Sequence, residues 1–159
     1  MRACVVFDTR YGNTEKIAKS LETGLKEAGI QTVCVNAKDM AVDSLKQYEL
    51  ICVGAPTEAF TASKPMKEFL GKLKSIDPSG KYGFAFDTKA SPGIFGSAAK
   101  FIERELRHLG LQIIAPRASA IVKGSKNKTA LKEGEEKRFM QIGLQVGTAL
   151  AARGKAIPA

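Results

Sequence analysis

Residues 3–29 read ACVVFDTRYGNTEKIAKSLETGLKEAG, and the change of period inside this stretch decides the fold class. Ala3–Asp8 is a near-continuous apolar run, the pattern of a strand buried on both faces of a parallel sheet. From Asn13 to Ala28 the apolar residues Ile17, Leu21, Leu25 and Ala28 recur at helical spacing, and Gly29 supplies a stop. Only Thr9-Arg10-Tyr11-Gly12 separates the two patterns, so the chain leaves a buried strand and enters a helix directly.

The same alternation continues outward from this stretch. Thr32–Asn36, Leu50–Ala55, Tyr82–Asp87 and Gln112–Val122 are the other strand candidates, and Pro116 predicts a bend or bulge in the last. Ala41–Gln47 is a short helix candidate. Pro65–Lys74 opens on a proline suited to a first turn and repeats Met66, Phe69, Leu70 and Leu73. Ser97–Leu109 has a serine cap, an apolar face of Ala98, Phe101, Ile102, Leu106 and Leu109, and a closing Gly110. Thr129–Arg153 carries Leu131, Phe139, Ile142, Val146, Ala149 and Leu150, although Gly134, Gly143 and Gly147 weaken it as a helix. Strands alternating with helices predict an α/β three-layer sandwich around a five-stranded parallel sheet. The expected domain is 1–153, followed by a loosely ordered tail, 154–159.

A length of 159 residues suits one domain, and a hydrophobic share of 44% allows an ordinary core. No apolar run approaches the ~20 residues that cross a bilayer. MRACVVFDTR has no apolar signal core or small-residue cleavage site, so a cytoplasmic protein is expected. Cys4, Cys34 and Cys52 fall in strand-like runs without a CxxC pair, which predicts buried thiols and no metal centre. His108, within FIERELRHL, is expected at the surface. The formal charge of +9 favours anionic partners without choosing among them.

In an open parallel sheet, ligands sit beyond the carboxyl ends of the strands, where the strand order reverses. The segments that follow the strands are therefore the candidate site. Thr9, Arg10, Tyr11, Gly12, Asn13 and Thr14 come first. Amides at the helix start, hydroxyls of Thr9 and Thr14 and the amide of Asn13 make a neutral cradle for a phosphate. Gly12 lets the backbone approach closely. Simple helix capping would explain Asn13 or Thr14, but not hydroxyls on both sides of a glycine.

The run T-R-Y-G-N-T resembles the phosphate loop of flavodoxins, in which a Ser or Thr, a Ser, Thr or aromatic residue, a Gly and a Thr follow the first strand. Tyr11 at the variable position is similar to quinone-reductase relatives of that family. Neither GxGxxG nor GxxxxGK[ST] is present. Gly54-Ala55-Pro56-Thr57-Glu58-Ala59-Phe60 is similar to the segment with which flavodoxins meet the flavin ring and ribityl chain. Pro56, Thr57, Glu58, Ala59 and Phe60 are the implied contacts, Phe60 packing on the ring or else plugging the core. Asp87, Thr88 and Lys89 open a third segment, and the helix GSAAKFIERELRHLG after it matches the family's helix there. This loop departs from the family at Ser91 or Pro92, where many flavodoxins stack a tyrosine; Phe95 either replaces it or belongs to the core. The resemblance implies one bound FMN, a short-chain form with strand order 2-1-3-4-5, and electron transfer as the function.

Flavodoxins are typically acidic, and here the sequence differs. Arg10, Lys38, Lys64, Lys89, Lys123, Lys126 and Lys128 fall on the binding rim, against Asp39, Glu58 and Asp87. Cations near a flavin stabilise its reduced anion, so a less negative potential for full reduction is expected. A basic rim suits redox partner proteins with an acidic docking face, and a monomer is expected. No aromatic-basic interleaving or known module supports specific nucleic-acid binding. Two other functions stay open: an FMN-dependent NAD(P)H:quinone-type oxidoreductase, and a binding protein of this fold that has lost FMN.

Overall fold

A computed structural model describes residues 1–58, 61–90, 96–125 and 128–155. Strand β1 (Arg2–Phe7) sends Ala3, Val5 and Phe7 to one face and Cys4 and Val6 to the other, and all five are buried. Burial on both faces is why the stretch reads as an unbroken apolar run. β1 lies between β2 (Gln31–Asn36) and β3 (Leu50–Glu58), parallel to both, with Cys4 opposite Val33 on one side and Ile51 on the other. β3 continues to β5 (Tyr82–Lys89), and β5 to β7 (Ala118–Lys123), again in parallel. The long strands thus stand in the order β2-β1-β3-β5-β7, which is the expected 2-1-3-4-5.

Among the described residues, three two-residue strands bring the sheet to eight. β4 (Thr61–Ala62) turns back antiparallel on β3, β6 (Gln112–Ile113) runs parallel to the start of β5, and β8 (Ala130–Leu131) pairs antiparallel with β7. The predicted single strand Gln112–Val122 is therefore two pieces, β6 and β7. Both pair with β5, and the chain around Pro116 leaves the ladder between them. Proline has no N–H to give to a ladder, so the break falls where the sequence places it.

Helices cover both faces. On one side α1 (Asn13–Glu27) and α4 (Glu135–Lys155) bury Ile17, Leu21, Leu25, Phe139, Val146 and Leu150 against the sheet. On the other, α2 (Lys64–Leu73) and α3 (Ala98–His108) contribute Met66, Phe69, Leu73, Ile102 and Leu106. Each such side chain stabilises the fold by roughly 1.5–3 kcal/mol relative to exposure. The Phe86 ring lies across β3, and a Cβ on Gly54 would come within 2.1 Å of it.

Two helix expectations need correction. The short helix expected over Ala41–Gln47 is a 3-10 helix over Val42–Gln47. The helix expected over Thr129–Arg153 begins only at Glu135, because Ala130–Leu131 is drawn into β8 and Gly134 turns the chain at φ 90°. α4 also runs to Lys155, past the expected helix end at Arg153. Its glycines have a packing role: a Cβ on Gly143 would lie 2.3 Å from the Leu21 carbonyl oxygen, and one on Gly24 2.0 Å from that of Met140. The α1 and α4 backbones approach one another directly there.

Candidate functional site

The order reverses between β1 and β3, and the chain beyond their carboxyl ends forms a cleft of about 180 Å³. Thr9, Arg10, Tyr11, Asn13 and Thr14 form one wall. Pro56, Thr57 and Glu58 face them from the end of β3, which runs past the predicted Ala55. Thr88, Lys89 and Ala90 close the far side, with Val122 and Thr129.

The turn into α1 is built by its own backbone. Gly12 holds φ 90°, a left-handed conformation that costs other residues roughly 1–2 kcal/mol. The Thr9 hydroxyl accepts the Gly12 N–H at 3.0 Å, which shapes the loop. Among the described residues no side chain caps α1, so the positive end of the helix is available beside the cleft. Thr14 Oγ1 and Thr88 Oγ1 share a hydrogen bond of 2.8 Å, joining the α1 start to the end of β5. The Asn13 amide donates to Thr129 Oγ1 at 3.0 Å. An uncapped helix start beside a wall of hydroxyls fits a phosphate.

Charge stands at the mouth of the cleft. Arg10 Nη1 lies 3.8 Å from Glu58 Oε1, and its guanidinium sits 5.3 Å from the centre of the Tyr11 ring. Arg10, Tyr11 and Lys89 are all at least partly exposed. Asp87 is placed differently from the other expected contacts. It is fully buried behind the cleft, where its Oδ2 accepts from Thr57 Oγ1 (3.0 Å), Ser97 Oγ (2.8 Å) and the Ala99 N–H (3.0 Å). Thr57 in turn accepts the Ala98 N–H. Asp87 and Thr57 thus fix the start of α3 to β3 and β5. Ser63 Oγ, which donates to Asp8 Oδ2 at 2.7 Å, ties the α2 start to the end of β1.

Of the expected contacts, Ala59, Phe60 and Phe95 lie outside the described residues. Ala90, Val122 and Thr129 line the cleft although the sequence reading did not select them. Thr129 reaches Asn13 across 116 positions, and no local pattern signals such a contact. Burial, with help from Glu22, pushes the Cys4 and Cys34 thiols up to about 12, and burial raises Cys52 well above its usual value. A thiol raised in this way favours its protonated form at neutral pH, which is the weakly nucleophilic one. No cluster of metal-ligating side chains occurs among the described residues.

The family model "Flavodoxin" matches residues 5–141. An uncharacterized protein of Methanocaldococcus jannaschii is 28% identical over 117 residues, which are 71% of this chain and 29% of that protein. A flavodoxin of Clostridium saccharobutylicum is 30% identical over 92 residues, 57% of this chain and 58% of its own. The chain therefore spans less than two thirds of the length of either relative. A solved flavodoxin from the domain Archaea superposes with a TM-score of 0.80 at 23% identity, covering 95% of this chain and 99% of that one.

Proposed function

The chain belongs to the flavodoxin family, whose members bind FMN, and from that premise we propose that it transfers electrons through one FMN held in the cleft between β1 and β3. The bound flavin supplies a ring that takes up and releases electrons. The protein's part is to hold, orient and electrostatically tune it.

The α1 amides, the Thr9 and Thr14 hydroxyls and the Asn13 amide are the groups offered to the phosphate. Pro56, Thr57 and Thr88 flank the path from the phosphate towards the ring. Arg10, Tyr11, Glu58 and Lys89 border the mouth, where a ring would lie within reach of a partner. The observation that carries the reading is the uncapped α1 start behind left-handed Gly12, facing a wall of hydroxyls at the switch point.

Titrating FMN into flavin-free protein tests it. One equivalent should quench the flavin fluorescence with a Kd below about 1 μM. Unquenched flavin at tenfold excess protein would leave a binding protein without a cofactor. Steady turnover of NADPH with a quinone, without an added reductase, would instead point to an oxidoreductase.

A further inference from the structure

A larger concavity, about 840 Å³, shares Lys89 with the cleft. It exists because of the strand break. After Ile114, whose N–H still bonds the Gly83 carbonyl, the chain leaves β5, and Ile113, Ile114, Ala115 and Pro116 line one wall of a groove whose other wall is α3. The charges on it have one dominant sign. Lys89, Lys100, Arg107 and Arg117 line it with a single carboxylate, Glu103. That carboxylate is already engaged: it accepts the Arg117 N–H at 3.2 Å and Arg117 Nη1 at 3.1 Å, and lies 3.8 Å from Arg107 Nη2. The Arg107 and Arg117 side chains nevertheless stay 60% and 43% exposed, so their remaining donors face solvent.

The cations extend beyond one point. Lys100 and Arg107 line the groove at i and i+7 along α3 and are both exposed, about 10 Å apart along the helix. A single phosphate cannot span that length, whereas an extended chain bearing several carboxylates can. The apolar wall gives such a chain a place for the side chains between its charges.

We propose that this groove docks an acidic, extended segment of the redox partner, with apolar side chains against Ile113 and Pro116 and carboxylates on Lys100, Arg107 and Arg117. Lys89 then stands between the docked segment and the cofactor cleft, so the partner is held beside the mouth through which electrons leave. The role of the segment rests on the electron-transfer reading above; the groove itself does not.

The test uses a fluorescein-labelled peptide alternating Glu and Leu, followed by anisotropy on FMN-loaded and flavin-free protein. Lys100→Gln with Arg107→Gln removes two groove charges and leaves Arg117 to hold Glu103. Lys132→Gln with Lys137→Gln removes two exposed charges near the start of α4 as a control. The groove pair should weaken binding about tenfold and the control pair less than about twofold. Raising ionic strength from about 0.05 to about 0.3 M should weaken binding to the parent protein. Equal loss from both pairs, or no binding at low salt, overturns the proposal. So does pyrophosphate binding one-to-one and displacing the peptide at equal affinity. If the groove pair unfolds, Lys100→Gln alone reads the same contact and should weaken binding about threefold. Peptide binding that survives without FMN affinity would retain the groove and discard the carrier; FMN binding without peptide binding does the reverse.

Discussion

Thr14 and Thr88 come from segments 74 positions apart, and their hydroxyls meet in a buried contact at the edge of the cleft. Thr14→Val keeps the shape and leaves Thr88 Oγ1 without that partner. A buried hydroxyl stripped of its bond costs about 1–3 kcal/mol, so urea unfolding of the flavin-free variant should show a loss in that range. FMN affinity should fall about tenfold, because one of the groups offered to the phosphate is gone; an unchanged Kd would remove Thr14 from the site. Glu135 acts elsewhere, accepting the Ile121 N–H at 2.7 Å and pairing with Arg138. Its hydrogen bond to Arg138, with the Ile121 N–H and nearby positive charge assisting, holds its carboxyl below the usual carboxylate range. A group with a lowered folded pKa contributes stability above its unfolded value and loses it as pH falls through the folded value. Glu135→Gln should therefore destabilise the protein at pH 7, and the gap from the parent should close in acid below about pH 4. Chemical unfolding of both proteins across that range checks the sign.

At the level of elements, the contact between α1 and α4 depends on small residues. Gly143→Ala puts a methyl group where only 2.3 Å separates it from the Leu21 carbonyl oxygen, so the helices must move apart. Helix propensity gives back about 1 kcal/mol, yet we expect net destabilisation of about 1–3 kcal/mol from overpacking, read as a lower urea midpoint. A stabilised variant would show that the helices separate freely. The same glycines mark the limit of what sequence reveals. Gly143 and Gly147 lower the helical signal of α4 because local propensity cannot register a neighbouring backbone. β1, β3 and β5 were legible because double burial leaves unbroken apolar runs, and α1 and α3 because their apolar faces and stops are local. β8 was not. Leu131 keeps helical spacing with Glu135–Lys155, and only its pairing with Val122 withdraws it from the helix. The site divides in the same way: Thr9–Thr14 is contiguous and readable, whereas Thr129 enters through a contact with Asn13 116 positions away. Asp87 is an expected contact because its segment resembles the third flavin loop; its Oδ2 accepts the Ala99 N–H in the first turn of α3.

Across the whole molecule the formal charge is +9, and a net charge of that size favours anionic ligands and partners. Lys89 is the described cation common to the cleft and the groove. Lys89→Glu should make full reduction of bound FMN more difficult, by on the order of 50 mV if the reversal shifts the reduced anion's stability by about one pKa unit. Redox titration with indicator dyes measures it; an unmoved potential would mean that water screens this lysine from the ring.

The outer margin of β7 has its own consequence. The Ser119 carbonyl is taken by Arg138, the Ile121 N–H by Glu135, the Ile121 carbonyl by the Lys132 N–H, and Val122 and Lys123 by β8. An unpaired sheet margin is a template on which a foreign chain can add itself, the first event in many fibrous aggregates. Here the residues that anchor α4 occupy that template, so on this side the protein is guarded against self-propagating assembly by the contacts that complete its fold.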